Sequence, residues 1–159
     1  MKNQYLPRNL KERFPYMFEG EHLSLSIAKG WDTLFEKLCI DIDSLLAADK
    51  QGFHWTQLKE KFGAARFYWS MEGGPHAARI SRIDALGAVT TLVERPVEDP
   101  SNPTLQEQVA ALVDAASDQT LHMCIVCGQP GKGHADHGYV LILCDEHIRQ
   151  REAGIQPEF

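Results

Sequence analysis

The sequence predicts an α+β protein: a small antiparallel sheet, two main helices and a C-terminal module of the zinc-ribbon or treble-clef type. Three observations carry this. Apolar residues recur at helical spacing in two well-separated stretches, residues 30–48 and 104–117. An aromatic run, FHWTQLKEKFGAARFYWSM, is broken by one glycine, Gly63. Near the C-terminus a C-x-x-C (Cys124, Cys127) and a C-x-x-H (Cys144, His147) bracket a spacer that ends in the strand-like Tyr139-Val140-Leu141-Ile142-Leu143.

The chain has 159 residues with a hydrophobic fraction of 43 %, enough for one domain with a modest core. No apolar run reaches the ~18 residues of a membrane span. The N-terminal MKNQYLPRNLKERFPYMF has no apolar signal core, so a cytoplasmic location with reduced thiols is the expectation. With 22 acids against 16 bases the net charge is −6, which argues against a general nucleic-acid binder but leaves room for a local basic patch.

Residues 1–29 read as an irregular basic arm. Pro7 and Pro15 oppose a continuous helix, and Phe14, Tyr16 and Phe18 are expected to pack onto the body. Leu23, Leu25 and Ile27 alternate as in a short strand. In residues 30–48, Trp31, Leu34, Phe35, Leu38, Ile42, Leu45 and Leu46 form one helical stripe, with Cys39 beside it as a small buried hydrophobe.

The aromatic run predicts a hairpin turning at Gly63, with Phe67 and Trp69 on one face and Arg66 and Tyr68 on the other. Lys59, Lys61, Arg66 and Tyr68 make a candidate surface for nucleic acid or a partner. Residues 72–103 read as an insertion. A second hairpin turning near Leu86-Gly87 is expected there, with a helix over 76–93 as its competitor and a proline loop from Arg95 to Pro103. Thr104 and Glu107 form a capping box for the second helix, whose stripe is Leu105, Val109, Leu112, Val113 and Ala116. Because this helix runs straight into the cysteines, it is expected to pack against them.

The chemistry concentrates in residues 121–151. Cys124, Cys127, Cys144 and His147 supply three thiolates and an imidazole, a complete tetrahedral set for structural Zn²⁺ with no position left for a reactive water. Gly128 suits the left-handed residue such a knuckle uses. His134, Asp136 and His137 in the spacer resemble the histidines of HNH nucleases. There is no asparagine in the spacer, however, and it is short for a catalytic hairpin, so these residues read as surface positions of a loop.

The order of motifs resembles a group of small phage, prophage and bacterial proteins. It is carried by RFPYMF (13–18), GWDTLFEKLCIDI (30–42), QLKEKFGAARFYW (57–69) and the CIVCGQPG…LCDEH block. Residues 72–103 are longer than the usual connection in that group. The resemblance carries no established activity. It implies an accessory, non-enzymatic protein stabilised by zinc, acting in a host cytoplasm on a host protein or nucleoprotein complex, with anti-defence inhibition as one class of role. Nucleic-acid binding by the basic aromatic hairpin, and a degenerate HNH-like nuclease, are the alternatives.

Overall fold

In the computed structural model the residues described are 5–7, 9–72 and 103–159, without the side chain of residue 136. The anticipated second hairpin, its competing helix and most of the insertion lie outside them. The element order is α1 (Leu10–Arg13), a 3₁₀ turn (Pro15–Phe18), a second 3₁₀ turn (Lys29–Trp31), α2 (Asp32–Leu46), β1 (His54–Lys61), β2 (Ala64–Ser70), α3 (Leu105–Thr120), β3 (Lys132–Asp136), β4 (Tyr139–Leu143) and α4 (Asp145–Glu152). The architecture is α+β, and the described residues form two separate two-stranded antiparallel sheets, β1–β2 and β3–β4. Among the described residues no helix is long and apolar enough to cross a membrane.

α2 forms where its apolar stripe predicts. Phe35, Leu38, Ile42 and Leu46 are buried on one side, with Trp31 at its N-cap, and Cys39 is fully buried among them. Phe35 is the centre of the core: its ring lies 5.3 Å from both Trp55 of β1 and Phe67 of β2, and meets Phe18 edge-on at 6.5 Å. The N-terminal arm is more ordered than the irregular segment anticipated. Pro15 sits at the start of its 3₁₀ turn, where a missing N–H costs nothing, and Phe14 and Phe18 are buried. The arm is tied down by Arg13–Glu36 and by the Tyr16 hydroxyl, which donates to Asp43 Oδ1 at 2.8 Å.

The segment around Leu25 adds a short parallel bridge to β1. Leu23 N–H donates to Thr56 O at 2.9 Å and Leu58 N–H to Ser24 O at 2.7 Å. Leu25 and Ile27 are buried, whereas Leu23 is 81 % exposed.

α3 carries the anticipated capping box, with the Thr104 side chain accepting from Glu107 N–H and the Glu107 carboxylate accepting from Thr104 N–H. It packs on α2 and β2, with its buried residues Val109, Val113 and Ala116 in the common core to which Cys124 and Ile125 also belong. Its last residue, Thr120, is fully buried. The Thr120 Oγ1 accepts from Ala65 N–H at 2.9 Å and donates to Ser117 O at 2.6 Å, closing the edge of β2.

The β1–β2 hairpin has the anticipated turn. The register ends at Lys61↔Ala64, so the loop is Phe62-Gly63, and both residues have positive φ, +55° and +79°. This is the backbone signature of a type I′ turn, which prefers Asn-Gly.

Candidate metal centre

Three local structures assemble the cysteine module. Residues 124–128 form the first knuckle: Gly128 N–H donates to Cys124 O at 2.8 Å, Cys124 N–H donates to Gln129 O at 2.7 Å, and Gly128 has φ +76°. The chain then runs through the β3–β4 hairpin, whose turn is His137-Gly138. Cys144 is the N-cap of α4, and His147 lies in the first turn of that helix. A spacing of three within a helical turn brings the two side chains to the same side, towards the knuckle.

The four ligand atoms all lie within 4.8 Å of one another. Cys127 Sγ is 3.8 Å from Cys144 Sγ, and His147 Nδ1 is 3.4 Å from Cys124 Sγ and 3.1 Å from Cys144 Sγ. A tetrahedral ion with bonds of about 2.3 Å to sulfur and about 2.0–2.1 Å to nitrogen requires S···S edges of about 3.8 Å and S···N edges of about 3.5 Å. Three of the donor separations lie within tenths of an ångström of these edges, and all stay within 4.8 Å, so the donor set is compatible with a metal ion. Cys124 is fully buried, Cys144 and His147 are half-buried and Cys127 is exposed, so the site opens to solvent on one side.

Without a cation the sulfurs oppose one another. Burial pushes the Cys124 thiol up, but backbone hydrogen bonds from Cys144, Cys127 and Val126 outweigh it and bring the thiol below its ordinary value. Burial, with the Cys124 and Cys144 sulfurs alongside, pushes Cys127 up to about 11. One negative charge is accommodated at Cys124, and a second is resisted. A divalent cation removes that conflict, so metal binding is coupled to proton release.

The module is built into the body at two glycines. Gly30, just before Trp31, donates its N–H to Ile125 O at 3.0 Å. A Cβ on Gly30 would lie 2.7 Å from the carbonyl carbon and oxygen of Ile125 and closer still to Cys124 O, so only glycine allows the knuckle to sit there. Gly63, at the tip of the first hairpin, abuts β4: a Cβ there would be 3.0 Å from Ile142 N. Ile125 N–H in turn donates to Ile142 O at 2.9 Å, which ties the knuckle to β4. Cys124, Ile125, Leu141 and Leu143 consequently belong to the same buried cluster as Trp31, Phe35 and Trp55. Sequence reasoning missed both docking glycines. The available signal was Gly30 itself, a poor helix former directly before a strong apolar stripe.

The spacer histidines are corrected in position. His134 is a half-buried residue of β3 rather than of a loop, and His137 occupies the turn with φ +47°. Among the described residues, neither belongs to a second group of potential metal ligands. On the first hairpin, Lys59 and Arg66 are directly paired across the strands, and Tyr68 lies on the same face. Lys59 Nζ sits 5.0 Å above the Tyr68 ring and Lys61 Nζ 5.3 Å from the Phe62 ring. Lys61 is exposed, whereas Lys59, Arg66 and Tyr68 are half-buried. Comparisons with models of known protein families, with curated proteins and with solved structures gave no match.

Proposed function

We propose that the chain is a non-enzymatic interaction protein whose fold is stabilised by structural zinc in a treble-clef-like module, held by Cys124, Cys127, Cys144 and His147. The supporting observation is the four-donor cluster, its ligand atoms all within 4.8 Å of one another, docked into the core through Gly30 and Gly63. Three soft thiolates and an imidazole suit Zn²⁺ better than Mg²⁺, Ca²⁺ or Mn²⁺, which prefer oxygen. Four protein donors close the coordination sphere, so the ion contributes folding free energy rather than a reactive water. The resemblance in motif order supports a phage or prophage accessory protein that modulates a host protein or nucleoprotein complex in the host cytoplasm, with anti-defence inhibition as a candidate role.

The test combines metal analysis of the purified chain with capture from host lysate. One zinc per chain, lost in Cys144→Ser, together with a stoichiometric host protein, is the expected result. A metal-free chain that melts identically with and without chelator would overturn the structural-zinc reading. A second reading, nucleic-acid binding, is favoured by one observation: Lys59, Lys61 and Arg66 share a hairpin on which none of them has an acidic partner among the described residues. Salt-dependent retention of single-stranded DNA or RNA, lost in Arg66→Ala, would support it.

A further inference from the structure

The tip of the first hairpin breaks a local rule, and its internal return is small: the exposed Lys61 ammonium lies 5.3 Å from the Phe62 ring. The first position of a type I′ turn is left-handed and prefers Asn or Gly, yet Phe62 occupies it with φ +55°. A bulky residue is disfavoured in that region. Burial does not offset the strain, because Phe62 is 65 % exposed. A large aromatic held at a strained, exposed turn is placed for a contact outside the chain.

The surroundings of Phe62 define the contact. Gly63 rests against Leu141 and Ile142, so Phe62 projects next to the strand that also exposes Tyr139 (71 %) and Val140 (39 %). Behind the tip, Lys61, Lys59 and Arg66 follow along one hairpin face. Elsewhere six bases are paired with acids: Arg13 with Glu36, Lys29 with Glu158, Lys37 with Asp41, Lys50 with Asp43, Lys132 with Asp145 and Arg149 with Glu146. In a chain with 22 acids and 16 bases, three cations left without an acid among the described residues on one hairpin mark a surface complementary to negative charge. At the far end of the face, Tyr68, Gln57, Thr56, Leu23 and His22 line an open groove.

We infer that this hairpin face is a docking surface for an acidic peptide segment of a partner protein, with carboxylates on Lys59, Lys61 and Arg66 and apolar side chains at Phe62 and in the groove beside Tyr68. The two apolar stations are separated by about 20 Å along an extended strand. A protein ligand is favoured over nucleic acid because the net charge is −6, three cations make only a short phosphate track, and Phe62, Tyr139 and Val140 offer apolar area. This rests on the interaction-protein reading and names its surface and partner chemistry.

The experiment uses the full zinc-loaded chain, a displayed library of random twelve-residue peptides, and fluorescein-labelled oligo-dT of twelve nucleotides as a competitor probe. Selection is expected to enrich peptides with Asp or Glu flanked by aromatic or aliphatic residues. Phe62→Gly should weaken the best peptide by about 30-fold, the loss typical of a hot-spot anchor, while raising the melting temperature by relieving the left-handed phenylalanine. Opposite signs in binding and stability distinguish a docking role from a structural one. Arg66→Glu should weaken the same peptide by about tenfold or more and flatten its salt dependence. Enrichment of no acidic peptide, or equal binding by both variants, would overturn the surface while leaving the interaction-protein reading intact. Tighter, steeply salt-dependent binding of the oligonucleotide, lost in both variants, would overturn the peptide assignment in favour of nucleic acid.

Discussion

Gly30→Ala tests the coupling between the metal module and the core with a single methyl group. Gly30 does not have positive φ, so alanine adds no backbone strain and slightly favours the following helix. The added Cβ would lie 2.7 Å from the carbonyl carbon and oxygen of Ile125 and closer still to Cys124 O, all backbone atoms that cannot rotate away. Either the knuckle or the start of α2 must move. Overpacking of this kind costs about 1–3 kcal/mol. Loss of the 3.0 Å bond from Gly30 N–H to Ile125 O leaves two buried polar groups unpaired, adding about 1–3 kcal/mol. A destabilisation of about 3–4 kcal/mol lowers the melting temperature by about 10 °C in a chain of this size. Cys124 is displaced with its carbonyl, so zinc should also be released faster to a chromogenic chelator. Gly133→Ala is the control, since its Cβ would meet nothing within 4 Å. If Gly30→Ala melts within 2 °C of wild type and holds zinc equally well, the module is not docked as described.

Further outcomes follow from the same structure. Cys124→Ser and Cys127→Ser should both abolish tight zinc binding, and chelation of the wild-type chain should remove the stabilisation of bound metal, about 4 kcal/mol where free zinc stands a thousandfold above Kd; calorimetric melting with and without chelator measures both. After chelation, iodoacetamide should modify the half-buried Cys144 and the exposed Cys127 but spare Cys39 and Cys124, both fully buried, a pattern read by peptide mass spectrometry. Burial raises Cys39 to about 12 in the folded chain, so its contribution is intact below the ordinary thiol range and is lost as pH rises towards that value. Stability should therefore fall from about pH 9 upward, by up to about 1.4 kcal/mol per pH unit for this group, and Cys39→Ala should remove that part of the slope in urea titrations. Thr120→Val keeps the shape but strands the Ala65 N–H, at a cost of about 1–3 kcal/mol by urea unfolding.

What the sequence made legible is what repeats or is chemically distinctive. Helical spacing located α2 and α3, the capping box located the start of α3, and the two ligand pairs located the module. These signals are local, because the residues that form them are close in the chain. The contacts that place the elements against one another are not. Gly30 and Gly63 each read as a local helix boundary or turn, and nothing adjacent to them in sequence announces a partner about 80 or more residues away. The short helical turns of the arm were hidden for a different reason: four residues cannot display a period. His134 was read as loop because glycines on either side of it suggested one, whereas pairing with Leu141 makes it strand.

The metal site and the hairpin tip are linked more closely than their separation in sequence suggests. The knuckle touches the body at Gly30 and is hydrogen-bonded to β4 through Ile125 and Ile142. β4 in turn supports Gly63, the residue next to Phe62. If zinc fixes the knuckle and the helix start that follows β4, it also fixes the strand against which the tip rests. The three cations lie on strands whose other face is held by Phe67 and Leu58 in the core and need no metal to stay in place. Zinc removal at a temperature where the chain remains folded should therefore weaken the selected peptide mainly through the apolar anchor, leaving its salt dependence nearly unchanged. Titrations of that peptide at two ionic strengths, with and without chelator, separate the two contributions. A salt dependence that disappears together with the metal would show that the cations, and not the tip, depend on zinc, and would refute this coupling.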